Sequence, residues 1–430
     1  MRNVVLLTVD SLRADHCSCF GYDRETTPRL DDLAAEGTAF ARAYSPSSHT
    51  REAVASVLTG RYPHAAVDDG YRLAAPTLAT RLADTHDSGA VHSNPFLSRA
   101  YGYDRDFDAF DDDLYLSRHK FVALAQRLFD RLRGHHYARA WTVNERALSW
   151  LDSRSGDDPF FLWAHYMDAH GPFEPPARYR DRFVDDDRST RERKRLWYRS
   201  MADPDGFTDA ERSALVDAYD GEVRYTDAAI GSLLDALADR GLLAETLVVV
   251  TADHGELFGE SGRYGHPRYV AEKVLHVPLV LAGPDVPSTT IDVPVGTRDV
   301  VPTVLELLDR AGGDDRPGRD DQSGAVDRAD RDRSLSRYWM DDAVADHVVS
   351  EARSDDETRR RYRVTGPDES LSFEHAIGEN RADVPDLEPA PLAATLRAHL
   401  ERVARSTSTG ESSGDHPTVA EDRLEALGYK

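Results

Sequence analysis

The sequence predicts an α/β sandwich in which helices flank a mainly parallel central sheet, followed by a small α+β C-terminal lobe. Two apolar runs rich in β-branched residues, 3–9 and 246–252, have the length of strands and lack the alternating polar positions of a half-exposed strand. Such continuous runs are typical of strands that are buried on both faces in a parallel sheet covered by helices. A chain of 430 residues can bury the core of one large α/β domain and of a smaller second unit.

Helical and strand-like stretches alternate over the first 310 residues. The first helix is predicted from Pro28 to Gly37, since proline favours the first turn of a helix and glycine its end. The other predicted helices cover 51–58, 77–85, 119–153, 208–240 and 300–309, and the other predicted strands cover 88–92, 159–165 and 277–284. Residues 174–205 are charged and without a clear period, which predicts an irregular surface excursion over the functional site.

Composition divides the chain into three parts. We expect residues 1–310 to form the main domain, and the segment 311–334, rich in Asp, Arg and Gly, to be a disordered or solvated acidic linker. Residues 335–430 are expected to form the small lobe. The predicted elements of this lobe are strands at 347–351 and 361–364, a helix at 391–405 and a flexible spacer at 406–417.

The charge balance excludes one class of partner. The net charge is −24, with 77 Asp and Glu against 53 Lys and Arg, and nucleic acid requires basic surface, so no nucleic-acid partner is expected. Lysine occurs only at positions 120, 194, 273 and 430. An acidic, lysine-poor surface resembles that of halophilic proteins. Such a surface repels itself, and high salt screens this repulsion. The alternative is an ordinary solvated acidic coat without a partner.

The two cysteines and the N-terminus bear on the compartment. Cys17 and Cys19 are two residues apart, a spacing that suits neither a zinc ribbon nor a disulfide framework, so a reduced interior is expected. The N-terminal apolar run is too short for a secretion signal, and no later stretch is long enough to span a membrane. These features favour a soluble cytoplasmic protein, and the oligomeric state stays open.

Acidic clusters follow both long apolar runs. Asp10 ends the first run, and Asp253 and His254 end the second. Ligands of parallel sheets bind at the carboxyl ends of the strands, so these three side chains could converge on one cation. The alternatives are turn or cap roles for the two aspartates and a supporting hydrogen bond for His254.

A hydroxyl-rich loop at 44–51 opens directly into a predicted helix. A hydroxyl at a helix N-terminus can be a cap, and Thr50 or Ser48 could have this role. It can also be a nucleophile, because the helix dipole and the free backbone N–H groups attract an anionic ester. The residues alone leave both interpretations open.

Taken together, these segments resemble the sulfatase family within the alkaline-phosphatase superfamily. The matching blocks occur in family order over most of residues 1–310 and again at the end of the chain, and together they are specific. The blocks are Asn3–Asp10, Asp15-His16, Gly21-Tyr22, Thr59–Pro63, His165–Phe173, Thr251–Glu256, Gly265-His266, Val277–Leu279 and Arg423–Tyr429.

The resemblance implies that Thr50 is the nucleophile, nine residues before Thr59. Sulfatases carry Cys or Ser at this place, within Cys/Ser-x-Pro-x-Arg, and convert it to formylglycine. Here the segment Thr50–Val54 lacks both the proline and the later arginine. Threonine carries a methyl group on Cβ and cannot be oxidised to that aldehyde, so no formylglycine is expected at Thr50.

The resemblance also implies a departure at the metal site. Sulfatases typically carry a second Asp after the first and an Asn after the later Asp, whereas Ser11 and His254 stand here. The resulting set of Asp, hydroxyl, Asp and His is similar to the single-metal site of phosphonate monoester hydrolases and lipoteichoic acid synthases, the latter with a Thr nucleophile. One imidazole among oxygen ligands suits Mn²⁺, Zn²⁺ or Mg²⁺ better than Ca²⁺. Ser11 would be an outer-sphere ligand.

Further site residues are implied by the family blocks. His170 would contact a substrate oxygen or the leaving group, unless it is a structural histidine beside a turn, and His266 would replace the lysine that binds the sulfate group. His92 and Asn94 lie where the family keeps a Lys and a His beside the anion, and Arg51 would clamp the developing negative charge. We expect core or loop-supporting roles for His165, Asp15, His16 and His64.

The sequence therefore predicts a metal-dependent hydrolase of a sulfate or phosphate ester with in-line attack by Thr50. The partner would be a small anionic ester or a sulfated or phosphorylated glycan. One alternative is a sulfatase that uses Ser47 or Ser48, although neither has the required downstream spacing. Two others are a phosphotransferase or phosphodiesterase that acts on a glycan or lipid head group, and a non-catalytic anion- or glycan-binding protein.

Overall fold

The computed structural model describes residues 2–113, 137–184, 188–311, 333–339, 347–377 and 387–407. Several predictions lie outside these residues: almost all of the linker 311–334, the spacer from residue 408 onward, the part of the long helix at 119–136 and the family-like block Arg423–Tyr429. Among the described helices, none has the length and apolar character that a membrane crossing requires.

Strands and helices alternate along the described parts of the chain. The strands are β1 (Asn3–Val9), β2 (Thr38–Phe40), β3 (Ala43–Tyr44), β4 (Asp87–Val91), β5 (Ala109–Asp111), β6 (Phe160–Tyr166), β7 (Thr246–Ala252), β8 (Leu257–Phe258), β9 (Tyr264–Gly265), β10 (His276–Val277), β11 (Leu279–Ala282), β12 (Thr289–Ile291), β13 (Val295–Gly296), β14 (Val348–Arg353), β15 (Arg359–Thr365) and β16 (Ser370–Ala376). The helices are α1 (Pro28–Glu36), α2 (Thr50–Thr59), α3 (Pro63–Ala66), α4 (Leu78–Leu82), α5 (Ala140–Ser153), α6 (Ala177–Arg180), α7 (Thr190–Ala202), α8 (Asp209–Asp239), α9 (Glu272–Leu275), α10 (Val300–Ala311) and α11 (Ala390–Thr407). The last three strands and α11 form the C-terminal lobe.

An eight-stranded sheet organises the main domain, in the order β12-β2-β11-β7-β1-β6-β4-β5. β1 pairs in parallel with both β6 and β7, and only β11 runs antiparallel to its neighbours. The two apolar runs predicted as buried strands are therefore adjacent at the centre of the sheet. The predicted mainly parallel α/β sandwich is confirmed.

Alternate side chains of the central strands supply two separate cores. Val5 and Leu7 of β1 pack with α1, α5 and α8 on one face of the sheet. Val4 and Leu6 pack with α2, α4 and α10 on the other face. Because both faces are covered, the run lacks the alternating polar positions that would mark a solvent side. This burial fixes the register, and it places the residue after each strand at one edge of the sheet.

The prediction for 174–205 is wrong in part, because α7 occupies 190–202. Ser189 and Glu192 form a capping box at its start. Only a narrow stripe that includes Leu196 and Trp197 is buried, so charged residues hide the helical period of this segment. Elsewhere, the helix predicted at 77–85 ends at Leu82, and the residues 137–139 that precede α5 are not helical.

The C-terminal lobe is a three-stranded antiparallel sheet in the order β14-β15-β16, packed against α11. The predicted strands and helix are found there, and β16 is an additional strand. Hydrogen bonds attach β14 to the loop before α2: Ser350 Oγ donates to Ser45 O at 2.6 Å, and Glu351 N donates to Pro46 O at 2.8 Å. The lobe is thus held directly behind the loop that was predicted to carry the nucleophile.

Candidate active site

Two carboxylates meet at the carboxyl edge of the central sheet. Asp10 follows β1 and Asp253 follows β7, and the register of the two strands places them side by side. Backbone N–H groups hold Asp253 in place, since Ser11 N and His254 N donate to its Oδ1 at 3.1 and 2.7 Å. Both carboxylates are fully buried. This is the convergence that the sequence predicted.

His254 completes a group that could hold a metal ion. One donor atom from each of Asp10, Asp253 and His254 lies within 4.8 Å of the others. His254 Nδ1 lies 3.0 Å from Gly255 O, which fixes the ring so that Nε2 faces Asp253 Oδ2 at 3.5 Å and Asp10 Oδ1 at 3.8 Å. Asp253 Oδ2 is buried, and no described donor reaches it with hydrogen-bond geometry. Two carboxylates and one oriented imidazole fit a single divalent cation.

The charges of this group favour a cation between the two aspartates. Burial raises the pKa of Asp253, and the neighbouring Asp10 raises it further. Burial also acts to raise the pKa of Asp10, but the nearby imidazoles, first among them His170, bring it well below its usual range. An ionised pair in a buried site is costly unless positive charge is near.

Thr50 is the first residue of α2, and its hydroxyl points into the same group. Thr50 Oγ1 lies 3.2 Å from His254 Nε2, and the residue is fully buried. The cap of α2 is His49, whose Nδ1 accepts a hydrogen bond from Arg51 N at 3.4 Å. Neither Thr50 nor Ser48 is therefore the cap, and that alternative is wrong.

The serine alternatives receive no support from the geometry. The hydroxyls of Ser47 and Ser48 are buried and form no hydrogen bond with any described residue. Ser45, two residues earlier, uses its hydroxyl to bind backbone carbonyls, among them Asp253 O. Of the hydroxyls in this loop, Thr50 is the one that contacts the imidazole of the metal-binding group.

His254 is followed by two further histidines in a row of ring contacts. The ring centroids of His254 and His266 are 4.7 Å apart, and those of His266 and His170 are 4.8 Å apart. His170 Nδ1 lies 2.6 Å from Gly171 O, so its orientation is fixed by the backbone. Burial lowers the pKa of His170 and of His266, the latter to about 3, with the neighbouring His254 as the next cause. Both predicted residues are thus at the site.

Glu256 and His165 were not predicted as site residues. Glu256 Oε2 lies 3.2 Å from His266 Nδ1, and burial raises the pKa of Glu256 to about 7. His165, predicted as a core histidine, binds Thr8 Oγ1 with Nδ1 at 3.0 Å and places Nε2 3.6 Å from Asp10 Oδ2. The position of Glu256 in the block after Asp253 was a usable signal. The contact of His165 depends on the pairing of β1 with β6, which the sequence does not display.

The other predicted residues occupy different places. Asn94 Nδ2 donates to Asp10 Oδ2 at 3.1 Å, and Ser11 Oγ donates to Asp10 Oδ1 at 3.0 Å, so both orient this carboxylate. His92 is fully buried between Phe110 and Trp163 and does not line the cleft described below. The guanidinium of Arg51 lies over the Phe96 ring at 3.9 Å, beside the cleft.

A cleft of about 740 Å³ leads from the surface to His266. Its walls combine charged groups with aromatic and apolar side chains, and from the segment 174–205 only residues between 197 and 204 line it. The lining includes His49, Arg51, Phe96, Trp197, Met201, Tyr264, Arg268, Asp355 and Glu357. The last two come from the turn between β14 and β15, so the C-terminal lobe contributes to the mouth of the cleft.

Gly255 allows the close approach of two backbone segments beside His254. Its N–H donates to Val274 O at 2.7 Å, and a Cβ at this position would lie 2.2 Å from Lys273 O. We expect Gly255→Ala to destabilise the protein by about 1–3 kcal/mol and to reduce activity, because His254 must move with the strained backbone. Denaturant unfolding and turnover measure the two effects. Gly156→Ala is the control, because its Cβ would meet no atom closer than 3.9 Å, and an equal effect of both changes would contradict this explanation.

Comparison with known proteins gives matches to one family and to one fold. The family model described as Sulfatase matches residues 2–310. An arylsulfatase of Clostridium perfringens is 24% identical over 361 residues, which cover 71% of this chain and 74% of the relative. The phosphonate monoester hydrolase of Agrobacterium radiobacter superposes with a TM-score of 0.62 at 19% identity and covers 95% of this chain and 96% of its own. A protein solved with its substrate D-glucosamine-2-N,6-O-disulfate gives 0.63 at 15% identity, with coverage of 96% and 100%.

Proposed function

The chain belongs to the sulfatase family and is a hydrolase of sulfuric or phosphoric esters, and from this premise we propose that Thr50 is its nucleophile and that Asp10, Asp253 and His254 hold one divalent metal. The observation that carries the proposal is the distance of 3.2 Å between Thr50 Oγ1 and His254 Nε2, beside two buried carboxylates. A hydroxyl buried next to metal-binding groups is placed for attack on a bound ester.

The donor set suits Mn²⁺, Zn²⁺ or Mg²⁺ better than Ca²⁺, which prefers six to eight oxygen ligands. When bound, such an ion supplies a lowered pKa for the Thr50 hydroxyl and positive charge for the oxygens of the ester. Asn94 and Ser11 hold the two oxygens of Asp10, and Gly255 O holds the ring of His254. Such supporting hydrogen bonds keep the donor atoms in place before the ligand arrives.

In the proposed reaction Thr50 Oγ1 attacks the ester from the side opposite the leaving group. The position of Thr50 at the start of α2 directs the positive end of the helix dipole toward an anionic ester. Oγ1 forms a bond to the sulfur or phosphorus atom while the bond to the leaving-group oxygen, on the opposite side, breaks. The product is an ester of Thr50 and a free alcohol. Because Thr50 carries no second hydroxyl on Cβ, a water molecule must then displace its oxygen to release sulfate or phosphate.

We assign contacts with the non-bridging oxygens and the leaving group to His170 and His266. Glu256 Oε2 lies 3.2 Å from His266 Nδ1 and helps to orient this ring beside the bound ester. A negative ester beside the ring favours the imidazolium form, and this form can neutralise charge and donate a proton to the leaving oxygen. His170 borders His266 and is oriented by Gly171 O, so it can stabilise the same oxygens.

The cleft supports a small ester as the substrate. Its volume of about 740 Å³ lies in the range that drug-sized ligands occupy. Arg51 and Arg268 give the walls positive charge, and Trp197 offers an apolar face. A sulfated sugar, as in the complex with D-glucosamine disulfate, combines these two features, and we propose a sulfated or phosphorylated glycan or a similar small ester.

A substrate screen tests the proposed function. Aryl sulfates, phosphodiesters and phosphonate esters are assayed with Mn²⁺, Mg²⁺, Zn²⁺ or Ca²⁺ at high salt, since the net charge of −24 favours salt-dependent folding. We expect metal-dependent hydrolysis of at least one class, with the first three ions more effective than Ca²⁺. Activity restricted to aryl sulfates and unchanged in Thr50→Ala would overturn the proposal.

His266→Asn is expected to lower kcat by about a hundredfold, the lower end of the usual effect of a proton-transferring group. The loss should be smaller for esters with good leaving groups, because these need no proton. Initial rates with a series of substituted phenyl esters measure this dependence. His86→Asn is the matched control, since His86 is a buried histidine that binds Arg2 O at the opposite end of the sheet. A loss that is equal for all leaving groups would assign His266 to binding alone.

A further inference from the structure

A second group of titratable side chains lies between the main domain and the C-terminal lobe. It consists of His64 on α3, Glu351 on β14 and His399 on α11, and we refer to these three residues as the lobe cluster. One donor atom from each residue lies within 4.8 Å of the others. None of the three belongs to the candidate active site. Of the three, only His64 was considered in the sequence analysis, where it was expected to support a neighbouring loop.

The lobe cluster has the dimensions of a metal site. Glu351 Oε1 lies 2.8 Å from His64 Nδ1 and 3.6 Å from His399 Nε2. Donor atoms at about 2.1 Å from a tetrahedral ion are separated by about 3.4 Å, and the observed distances lie on both sides of this value. The two imidazole rings are 5.2 Å apart at an angle of 77°. Small rotations of the side chains would therefore bring all three donors to one ion.

His399 is the member that hydrogen bonding does not explain. Its side chain is fully buried, and neither ring nitrogen has a hydrogen-bond partner among the described residues. A buried polar group without a partner is costly. Glu351 and His64 satisfy each other, but their pair leaves His399 Nε2 beside the carboxylate without a bond. A cation between the three groups would use the lone pair of His399 and remove this cost.

A small cavity adjoins the lobe cluster. Its volume of about 20 Å³ is enough for one water molecule, the usual fourth ligand where three side chains bind zinc. Glu52 lies on the wall of this cavity together with Arg353 and Arg360. Arg353 is paired with Asp69 at 3.0 Å, so the local charge does not exclude a cation.

We propose that the lobe cluster is a second metal site, which binds Zn²⁺ through two imidazoles and one carboxylate. Its ligands come from one helix of the main domain and from two elements of the lobe. A bound ion would therefore fasten the lobe to the main domain behind α2, the helix that begins with Thr50. The role is structural, because the cluster does not line the active-site cleft.

Metal content of the full-length protein tests the proposal. Each protein is first loaded with Zn²⁺ and desalted. In the double variant Asp10→Asn/Asp253→Asn the active site has lost its two carboxylates, and we expect one Zn²⁺ per chain, against two in the unchanged protein treated in the same way. Adding His399→Gln to this variant should remove the remaining ion. His375→Gln is the control, since it replaces another buried histidine of the lobe and should leave the ion bound. A double variant without zinc, or with zinc that survives His399→Gln, would overturn the proposal.

Thermal unfolding decides the question if the His399 variant does not fold. In the Asp10→Asn/Asp253→Asn protein, Zn²⁺ should raise the melting temperature by at least about 2 °C over the chelated protein, since an ion that binds only the folded state stabilises it. Co²⁺ in the same protein should give the absorption bands of a tetrahedral site. Identical melting with zinc and with chelator would refute the second site.

Discussion

Thr50→Ala is expected to lower kcat/KM by at least about a thousandfold, a loss of about 4 kcal/mol in transition-state stabilisation. The change removes the atom that would form the bond to sulfur or phosphorus, and alanine offers no hydroxyl in its place. Metal content and the melting temperature should stay close to those of the unchanged protein, because Thr50 is not one of the three donors of the metal-binding group. Single-turnover and steady-state rates on the best ester of the screen measure the effect.

Two neighbouring changes make this result specific. Thr50→Ser keeps the hydroxyl and should retain activity within about tenfold, since only a methyl group is lost. Ser48→Ala removes the rival hydroxyl of the same loop and should change little. Rapid quenching should also give a peptide that contains Thr50 and carries the mass of sulfate or phosphate. If Ser48→Ala abolished turnover while Thr50→Ala did not, the assignment of the nucleophile would be wrong.

The sequence predicted which side chains converge where those side chains directly follow a strand. Asp10 and Asp253 each come after an apolar run, and the general rule for parallel sheets then places them at one edge. Thr50 required the spacing of the family blocks in addition, because a hydroxyl at a helix start is most often a cap. The structure assigns that cap to His49, which no residue pattern indicated.

What the sequence missed depends on contacts between distant segments. The lobe cluster joins residues 64, 351 and 399, and no local pattern relates these positions. His165 was predicted to be a core histidine, and its burial agrees with this. Because β6 pairs with β1, however, His165 also lies beside Asp10, which follows β1. The helix at 190–202 was missed for a different reason, since charged residues cover all but a narrow buried stripe. The apolar period is weak here because the buried stripe contains Arg193 and Ser200 as well as Leu196 and Trp197.

Asp253→Asn is expected to weaken binding of the active-site metal by at least about a hundredfold and to lower turnover by about a thousandfold or more. The amide oxygen can still accept the hydrogen bonds that Ser11 N and His254 N donate to Oδ1, so the loop should stay in place. Only the charge and one donor oxygen are lost. Loss of an outer partner of a metal ligand typically costs 10- to 100-fold in affinity or activity, and a direct ligand should matter no less.

Asn94→Ala provides the graded comparison. Asn94 Nδ2 donates to Asp10 Oδ2 at 3.1 Å and therefore acts on the metal through Asp10. Its removal should cost about 10- to 100-fold, and added metal should restore the activity at saturation, whereas Asp253→Asn should stay impaired. Activity measured as a function of added metal distinguishes the two variants. An ion in the lobe cluster does not affect this measurement, because it contributes no turnover. Asp253 could not be a metal ligand if chelation left the rate unchanged, or if Asn94→Ala were more damaging than Asp253→Asn. The contact between Thr50 and His254 would then be that of a general base with a hydroxyl.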